Sequence, residues 1–416
     1  MKTSFETTAH AFVELLSRKG IDYFFGNAGT DFASIVEAFA FREAHGMERP
    51  VPLAIPHEIP LVAMAHGYYL ATGRIQTAMV HVGVGTANSL GGLMAAHRAR
   101  VPILFCAGRT PITEEGSPGS RSVYIHWGQE SFDQGSIVRE YVKWDYELRT
   151  PAQLEAVVNR ALAMATTEPQ GPVYLSLPRE VLIQPLEGLE FGSGPRYDRP
   201  TFAPDPAKIH EAARLIKDAH FPLIITSSAG RSAAAVQALT RLAEDGGVGV
   251  VSQSPECMNL ATRHPCHLGF SPEPYMKEAD VILVLDCDVP WVPNRVKPNA
   301  SARIIQAGVD SFYSSYPMRN FSSDLTLQGE TERVLMGLRD SLLRLAEKDT
   351  FAPRRERLED IHHKMAETWE AEALKGAEGG GILPPWISYH VNKILDDRAV
   401  VVNEHDNAMK PFTGQN

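Results

Sequence analysis

The fold of the N-terminal part of the chain is decided by residues 56–108, which read PHEIPLVAMAHGYYLATGRIQTAMVHVGVGTANSLGGLMAAHRARVPILFCAG. A helix is predicted to begin at Glu58, because Pro60 fits a first turn, where its missing N–H leaves no hydrogen bond unmade. Gly73 is predicted to end this helix. A strand (Thr77–Val82), a glycine-rich turn, another helix and another strand follow. This alternation predicts an α/β fold with a parallel, doubly wound sheet.

The composition is that of an ordinary globular protein, and 416 residues are too many for one core, which indicates two to three domains. Hydrophobic residues make up 44% of the chain and charged residues 22%, with a formal net charge of −10. Lys and Arg form no dense run. These features argue against nucleic acid or an anionic membrane as a partner.

The N-terminus has polar and acidic residues where a signal peptide has an apolar core, and no apolar run approaches the length of a membrane helix. The cysteines lack CxxC spacing, so neither a zinc site nor a disulfide framework is expected. We therefore expect a cytoplasmic protein. The four cysteines are Cys106, Cys257, Cys266 and Cys287.

Five segments are predicted along the chain. The first domain covers residues 1–185, and a Gly/Pro-rich linker covers residues 186–206. A second, Rossmann-like domain with the same α/β rhythm covers residues 207–345, followed by a charged helical linker over residues 346–380. Residues 381–416 are predicted to be the start of a third domain, since one helix and one strand cannot bury a core alone.

The individual elements are read from β-rich runs and from helical spacing of apolar residues. In the first domain they are helices Thr7–Lys19 and Phe32–Phe41 and strands Tyr23–Gly26, Ile103–Ala107 and Val173–Leu177. Beyond it they are strands Leu223–Thr226, Val248–Ser252, Val281–Asp286 and Arg303–Ala307, a helix from Ser232, one charged helix over Ser341–Lys375, helix Ile387–Leu395 and strand Val400–Asn403.

The glycine-rich turn His81–Asn88 follows a predicted strand and opens a helix. Gly83 and Gly85 would let the backbone approach a ligand closely. Asn88 could cap the following helix or donate a hydrogen bond across a site. The turn does not match GxGxxG, and no acidic residue stands at the distance that a dinucleotide site requires.

Read with the earlier FFGNAGTDF, residues 24–32, the opening stretch strongly resembles the pyrimidine-binding domain of thiamine-diphosphate enzymes. Glu58 stands where that family places a glutamate that hydrogen-bonds the cofactor's aminopyrimidine, so the resemblance implies a proton-relay role for it. The alternative is that Glu58 is simply an acid favoured at a helix N-terminus. The implied cofactor-binding residues are Asn27, Ala28, Gly29, Glu58, Gly83, Gly85 and Asn88.

Within the family, the motifs resemble benzoylformate decarboxylases. FGNAGT stands where those enzymes have FGNPGS, and HVGVGTAN is similar to their histidine-led turn. This similarity implies a catalytic role for His81 in proton transfer, which suits an imidazole, and a substrate contact for Thr30. The alternative for His81 is a strand-end histidine that caps a backbone carbonyl.

Further pocket residues are implied less directly. The segment containing His126 and Gln129 resembles a substrate-lining segment of acetolactate synthases, and a polar surface loop is its alternative. The decarboxylases have a second active-site histidine in a central-domain loop, whereas this chain has none there, and Trp291 is the candidate for its place. Asp286 and Asp288 in that loop read more simply as a solvated turn than as a metal site.

The cofactor set is incomplete in this sequence. The family holds Mg²⁺ and the diphosphate through Gly-Asp-Gly and a later asparagine, and no Gly-Asp-Gly occurs here. We therefore expect those ligands in a missing part of the C-terminal domain. We expect this chain to be a truncation, which is favoured, or one half of a split enzyme, with weak or no cofactor binding and no turnover by the chain alone. The small-residue turn Ser227–Arg231 could admit a phosphate, but FAD is not expected and a structural central domain is favoured.

The resemblance implies a thiamine-diphosphate-dependent 2-keto acid decarboxylase or carboligase, which acts as a homodimer or tetramer. Two alternatives belong to other classes. The chain could be a non-catalytic remnant with a binding or regulatory role, or a protein that holds FAD or ADP structurally in its central domain, because a fold does not decide a function.

Overall fold

The computed structural model describes residues 3–189, 191–192, 194–347, 349–378, 383–396 and 398–401. The chain divides into two compact units, Met1–Pro200 and Thr201–Asn416. Each unit is built on its own parallel sheet.

The first unit contains a six-stranded sheet and a small two-stranded one. Its strands are β1 (Thr3–Phe5), β2 (Tyr23–Gly26), β3 (Val51–Ala54), β4 (Thr77–Val80), β5 (Leu104–Arg109), β6 (Asp145–Glu147), β7 (Val173–Pro178) and β8 (Leu186–Leu189). Its helices are α1 (Thr8–Arg18), α2 (Ala33–Ala44), α3 (Glu58–Thr72), α4 (Val82–Asn88), α5 (Leu90–Arg98), α6 (Ile125–Gly128), α7 (Leu154–Thr166) and α8 (Arg179–Leu182). Short 3-10 turns cover Thr30–Phe32, Gln134–Ile137, Arg139–Tyr141 and Pro151–Gln153.

The six strands run parallel in the order β3-β2-β4-β5-β7-β6, and β1 pairs antiparallel with β8. Strands β4, β5 and β7 are almost wholly buried, as expected for a sheet covered on both faces. Alternate residues of a strand enter different hydrophobic clusters: Leu104 joins the cluster that includes residues of α1, α2 and α7, whereas Phe105 joins the one with α3 and α5. The first unit is therefore a three-layer α/β/α arrangement.

Helix α3 begins and ends where the sequence predicts. Its N-cap is His57, whose Nδ1 accepts a hydrogen bond from the Ile59 N–H at 3.2 Å. At the other end Gly73 has a φ of +68°, a left-handed conformation that glycine adopts without strain, and its N–H donates to the Tyr69 carbonyl. Glu58 is thereby held in the first turn of α3.

The predicted glycine-rich turn is itself helical. Helix α4 starts at Val82, directly after the strand-end residue His81, and residues 83–88 continue it. Gly85 makes this possible, because a Cβ there would lie 2.9 Å from Cβ of Val80. Small residues let helix α4 pack tightly over the end of its own strand. The number of glycines in this segment indicates a loop instead.

The second unit has five parallel strands in the order β10-β9-β11-β12-β13. The predicted α/β class with parallel sheets is thus confirmed in both units. The strands are β9 (Pro222–Thr226), β10 (Gly249–Ser252), β11 (Val281–Leu285), β12 (Arg303–Gly308) and β13 (Leu325–Gln328). The helices are α9 (Pro206–Asp218), α10 (Ala233–Gly246), α11 (Thr331–Leu345), α12 (Ala352–Glu378) and α13 (Pro384–Ile394).

The predicted charged helical segment over residues 341–375 is helical as far as Leu345 and again from Ala352, with a break between α11 and α12. Phe351 and Leu358 from the start of α12 belong to the hydrophobic core of the second unit. The first turns of the predicted helical linker therefore pack as part of this unit. Strand β13, with only four residues, was not predicted.

Half of the expected third domain, residues 381–416, lies outside the described residues. Its predicted helix corresponds to α13, and Val400 and Val401 have no regular structure. Residues 402 and 403, which complete the predicted strand, lie outside the described part of the chain. Among the helices of the described residues, none is both long and apolar enough to span a membrane.

Candidate active site

The candidate site lies in the first unit, at the carboxyl ends of the adjacent strands β2, β4 and β5. In a parallel sheet these ends share one edge, where the connecting loops meet and ligands commonly bind. Asn27 follows β2, His81 follows β4, and Gly108 lies at the end of β5. Residues far apart in sequence are thereby brought together.

His81 is held by hydrogen bonds at both ring nitrogens. Its Nδ1 lies 2.5 Å from Oδ1 of Asp31, and its Nε2 lies 3.0 Å from Nε2 of Gln129. The hydrogen bond to Asp31 raises the pKa of His81 above its ordinary value, although burial acts in the opposite direction. The negative charge of Glu58 also raises this pKa. The alternative interpretation, a histidine that caps a backbone carbonyl, does not fit these two contacts, because both are made to side chains.

Asp31 was missed by the sequence interpretation. It is buried, 3% exposed, in the 3-10 turn after β2, and its second oxygen accepts a hydrogen bond from the Val82 N–H at 3.3 Å. A Cβ on Gly108 would collide with its carboxylate. The available signal was its position directly after Thr30 in the motif, but only the fold shows that it faces His81.

The residues before Asp31 fix the loop. Asn27 donates its side-chain N–H to the Ile55 carbonyl and its backbone N–H to the Met79 carbonyl, both at 2.9 Å, so it ties the ends of three strands together. Gly29 lies against the His81 ring, with which a Cβ at this position would collide. Ala28 is exposed. The implied cofactor roles of Asn27, Ala28 and Gly29 stay predictions.

His126, Thr30 and Gln129 also meet here. Thr30 Oγ1 lies 3.4 Å from Nε2 of His126, and the hydroxyl of Thr110 donates to the Gln129 carbonyl at 3.1 Å. His126 is only 1% exposed, and burial lowers its pKa. His126 is buried and Gln129 is half-buried, whereas Ile125 and Trp127 in the same segment are exposed. The pocket roles of His126 and Gln129 therefore stay predictions.

Glu58 has an unusual environment for a carboxylate. It is buried in the first turn of α3, yet within the described part of the chain its side chain accepts no hydrogen bond. Its nearest basic neighbour is Nδ1 of His57 at 3.8 Å, an atom that already accepts from the Ile59 N–H. Neither carboxylate oxygen of Glu58 is among the enclosed polar atoms that lack a partner in the described part of the chain, and the side chain is 11% exposed, so the oxygens remain reachable. This free acceptor capacity fits a ligand that donates N–H groups, as an aminopyrimidine does.

The glycines of α4 contact protein. A Cβ on Gly83 would lie 3.1 Å from Oγ of Ser131, and Gly85 packs on Val80, so their predicted approach to a ligand stays untested. Asn88 is exposed as the last residue of α4, and Ser89 is the N-cap of α5. The suggestion that Asn88 caps the following helix is therefore wrong.

Trp291 belongs to the second unit. It is buried in that unit's core and packs edge-on against Phe321, with ring centroids 5.1 Å apart. Its proposed place in the substrate pocket stays a prediction. Asp286 bonds the Thr331 hydroxyl, and Asp288 accepts from the Tyr316 hydroxyl at 2.5 Å.

These carboxylates thus have separate partners. More widely, no group of three or more His, Cys, Asp or Glu residues within the described ranges is arranged to hold a metal ion.

The turn after β9 is closed by its own hydrogen bonds. The N–H groups of Ser227 and Ser228 donate to the Asp286 carbonyl, and the Gly230 N–H donates to Oδ1 of Asn259 at 2.9 Å. A Cβ on Gly230 would collide with the Met258 carbonyl. The donors that a phosphate would need are therefore used within the protein.

Two family models match the chain. The model described as thiamine pyrophosphate enzyme, N-terminal TPP binding domain, matches residues 6–137. The model described as thiamine pyrophosphate enzyme, central domain, matches residues 209–338. Each match falls within one of the two units, and the first includes the residues around His81.

Curated proteins show the same similarity. The chain is 27% identical over 266 residues to an acetolactate synthase of Arthrospira platensis, covering 63% of this chain and 44% of that protein. It is 26% identical over 318 residues to a benzoylformate decarboxylase of Pseudomonas aeruginosa, covering 73% of this chain and 57% of that protein. The chain therefore spans about half the length of the curated relatives it matches.

A solved structure shows the same fold. The benzoylformate decarboxylase from Polynucleobacter necessarius superposes with a TM-score of 0.66 at 20% sequence identity. The superposition covers 81% of this chain and 61% of that one.

Proposed function

The chain belongs to the thiamine pyrophosphate enzyme family, and on that premise we propose that it supplies the pyrimidine side of a thiamine-diphosphate site. The observation that carries this proposal is Glu58, a buried carboxylate with unused acceptor capacity within the described part of the chain. Glu58 would accept a hydrogen bond from the aminopyrimidine ring. An acidic residue is also common in the first turn of a helix, so the two interpretations of Glu58 are compatible.

Thiamine diphosphate, when bound, supplies a nucleophilic carbon and an electron sink for breaking a bond next to a carbonyl group. The residues of this chain would bind and orient the substrate and move protons. Thr30 and Gln129 offer polar groups to a substrate carbonyl or carboxylate, and His81 holds a titratable proton beside them. Mg²⁺ is part of the proposal, but we assign it no ligand among the described residues.

We propose that the reaction is decarboxylation of a 2-keto acid, or ligation of the resulting activated aldehyde to an acceptor. The names of the acetolactate synthase and benzoylformate decarboxylase relatives support this class. For the second unit we propose a structural role, since its small-residue turn is closed to a phosphate by internal hydrogen bonds.

We propose that the protein is a homodimer or a tetramer of this chain. The exposed residues of α3 from Ile59 to Leu70 are all apolar or glycine. A surface helix normally presents polar residues to water, so an apolar exposed face indicates a contact surface. Val84 on α4 and Met94 on α5 are exposed as well. The residues of this face on α3 are Ile59, Pro60, Ala63, Met64, Gly67 and Leu70.

The activity can be tested with the purified protein, thiamine diphosphate and Mg²⁺, by following CO2 release from aromatic and aliphatic 2-keto acids. The proposed function predicts release that requires the cofactor and falls about 100-fold or more in Glu58→Gln. No binding and no release would agree instead with the expectation from the sequence that this chain alone binds the cofactor weakly and does not turn over. Cofactor binding without any conversion would contradict the proposed reaction and favour a non-catalytic role.

A further inference from the structure

We propose that Asp31 is a positioning residue that holds His81 as a proton donor, with Nδ1 committed to the Asp31 carboxylate and Nε2 presented to the substrate. This inference rests on the proposed function, because it assigns the protonation state in which His81 would meet a 2-keto acid. It concerns a residue that the sequence motifs do not single out.

The geometry of Asp31 is built for this contact. The carboxylate is buried, and its two oxygens are directed separately, one to Nδ1 of His81 and the other to the Val82 N–H at the start of α4. Gly108 leaves the space that the carboxylate fills. Asp31 therefore cannot rotate away without losing both hydrogen bonds.

The ring of His81 is also restrained on its other sides. Gly29 lies against it, and Gln129 lies at hydrogen-bond distance from Nε2. With Nδ1 donating to a carboxylate, Nε2 is the nitrogen left to exchange a proton. As placed, Gln129 presents its amide nitrogen, from which a neutral ring accepts at Nε2; a protonated ring would donate from Nε2 to a substrate oxygen or, with the amide group turned over, to the Gln129 oxygen.

The charges that face His81 favour the protonated ring. Asp31 and Glu58 both act to raise the pKa of His81. The nearby basic group is His126, and burial lowers its pKa, which disfavours a positive charge there. In the proposed step a nucleophile adds to the substrate carbonyl carbon, the electron pair of the C=O π bond moves to oxygen, and the proton on Nε2 moves to that oxygen, which becomes a hydroxyl. The neutral ring that remains keeps its Nδ1 proton on the hydrogen bond to Asp31, so no other acid is required.

A purely structural role for Asp31 is the competing explanation, since its bond to Val82 could simply cap α4. The two explanations differ in what happens to the His81 ring. A cap would affect folding stability alone, whereas a positioning residue also sets the protonation state of the imidazole.

The test is an NMR pH titration of the protein labelled with ¹⁵N in its histidine rings, without added cofactor. We expect the pKa of His81 to fall by about one to three units in Asp31→Asn, because a carboxylate partner is lost. Asp218→Asn, an exposed change in the second unit, is the matched control and should leave His81 unaffected. Gly108→Ala keeps the charge of Asp31 but displaces it, and should shift His81 in the same direction.

An unchanged titration of His81 in both Asp31→Asn and Gly108→Ala would overturn the proposal and leave Asp31 as a helix cap. If Asp31→Asn does not fold, Gly108→Ala decides alone. Because no cofactor is present, the result is independent of whether thiamine diphosphate binds, so this inference and the proposed function can fail separately.

Discussion

The Asp31 carboxylate occupies the space that a side chain on Gly108 would fill. Asp31 comes from the turn after β2, and Gly108 comes from β5, two strands away in the sheet. The carboxylate reaches His81 only because position 108 has no Cβ. The glycine that ends the quoted stretch 56–108 is thus part of the candidate site.

Gly108→Ala should destabilise the first unit. The added Cβ overlaps the Asp31 carboxylate, which must move or strain the strand, at a cost of about 1–3 kcal/mol. Denaturant unfolding monitored by circular dichroism measures this change. The control is Gly91→Ala in helix α5, where nothing lies within 4 Å of the new Cβ and alanine should stabilise by about 0.5–1 kcal/mol. Equal effects of the two substitutions would show that Gly108 is not needed for Asp31.

His267 should make the stability of the second unit sensitive to acid. Burial lowers its pKa to about 4, and its Nε2 has no hydrogen-bond partner among the described residues. The folded state therefore keeps the ring neutral. Above the unfolded pKa of about 6.5 this ring costs no stability, and as the pH falls from there towards 4 the unfolded state takes up a proton that the folded state does not, so stability is lost. The loss from this group is at most about 3 kcal/mol.

His267→Asn should flatten this pH dependence while keeping an acceptor near the Gly269 N–H, which donates to Nδ1 of His267. Unfolding free energies measured between pH 4 and pH 7 give the comparison. His363→Asn on the exposed surface of α12 is the control and should leave the wild-type slope unchanged. A slope unaffected by His267→Asn would mean that this ring is protonated in the folded state.

Leu358→Ala tests whether the start of α12 belongs to the second unit. Leu358 is 2% exposed in the unit's core, so its truncation should cost about 2–5 kcal/mol. Leu374 on the same helix is 44% exposed, and Leu374→Ala should change stability by less than about 0.5 kcal/mol. Both values come from denaturant unfolding. Similarly small losses of stability in both variants would mean that the start of α12 is a linker and not part of the core of the second unit.

The apolar face of α3 should be the contact between subunits. Met64→Lys on this face, combined with Val84→Lys on α4, adds two charges to the exposed apolar surface. We expect the species measured by sedimentation velocity to shift towards the monomer. Val36→Lys, on the exposed surface of α2, is the matched control and should leave the assembly intact. An unchanged assembly in the double variant would place the contact elsewhere.

Local signals account for the parts of the fold that the sequence predicts well. The start of α3 at Glu58 and its end at Gly73 follow from proline and glycine chemistry within one helix. The buried strands follow from short apolar runs. Glu58 and His81 could be identified because they stand in recognisable motifs at strand and helix ends.

The missed features depend on contacts between distant segments. Asp31 becomes a site residue only when Gly108 and His81 are brought beside it by the sheet. The turn predicted at residues 81–88 is helical from Val82 because Gly85 packs on Val80, and spacing alone does not encode that packing. In the same way, the break before α12 is decided by packing onto a core.

The most direct measurement of the central claim is an NMR titration of thiamine diphosphate with Mg²⁺ into the protein and into Glu58→Gln. We expect the amide signals at the start of α3 and around His81 to shift. The apparent affinity should fall about 10- to 100-fold in Glu58→Gln, the worth of one charge-assisted hydrogen bond. Glu37→Gln, exposed on α2, should bind like the wild type. No shift in α3, or equal binding by Glu58→Gln, would contradict the claim that Glu58 holds the cofactor.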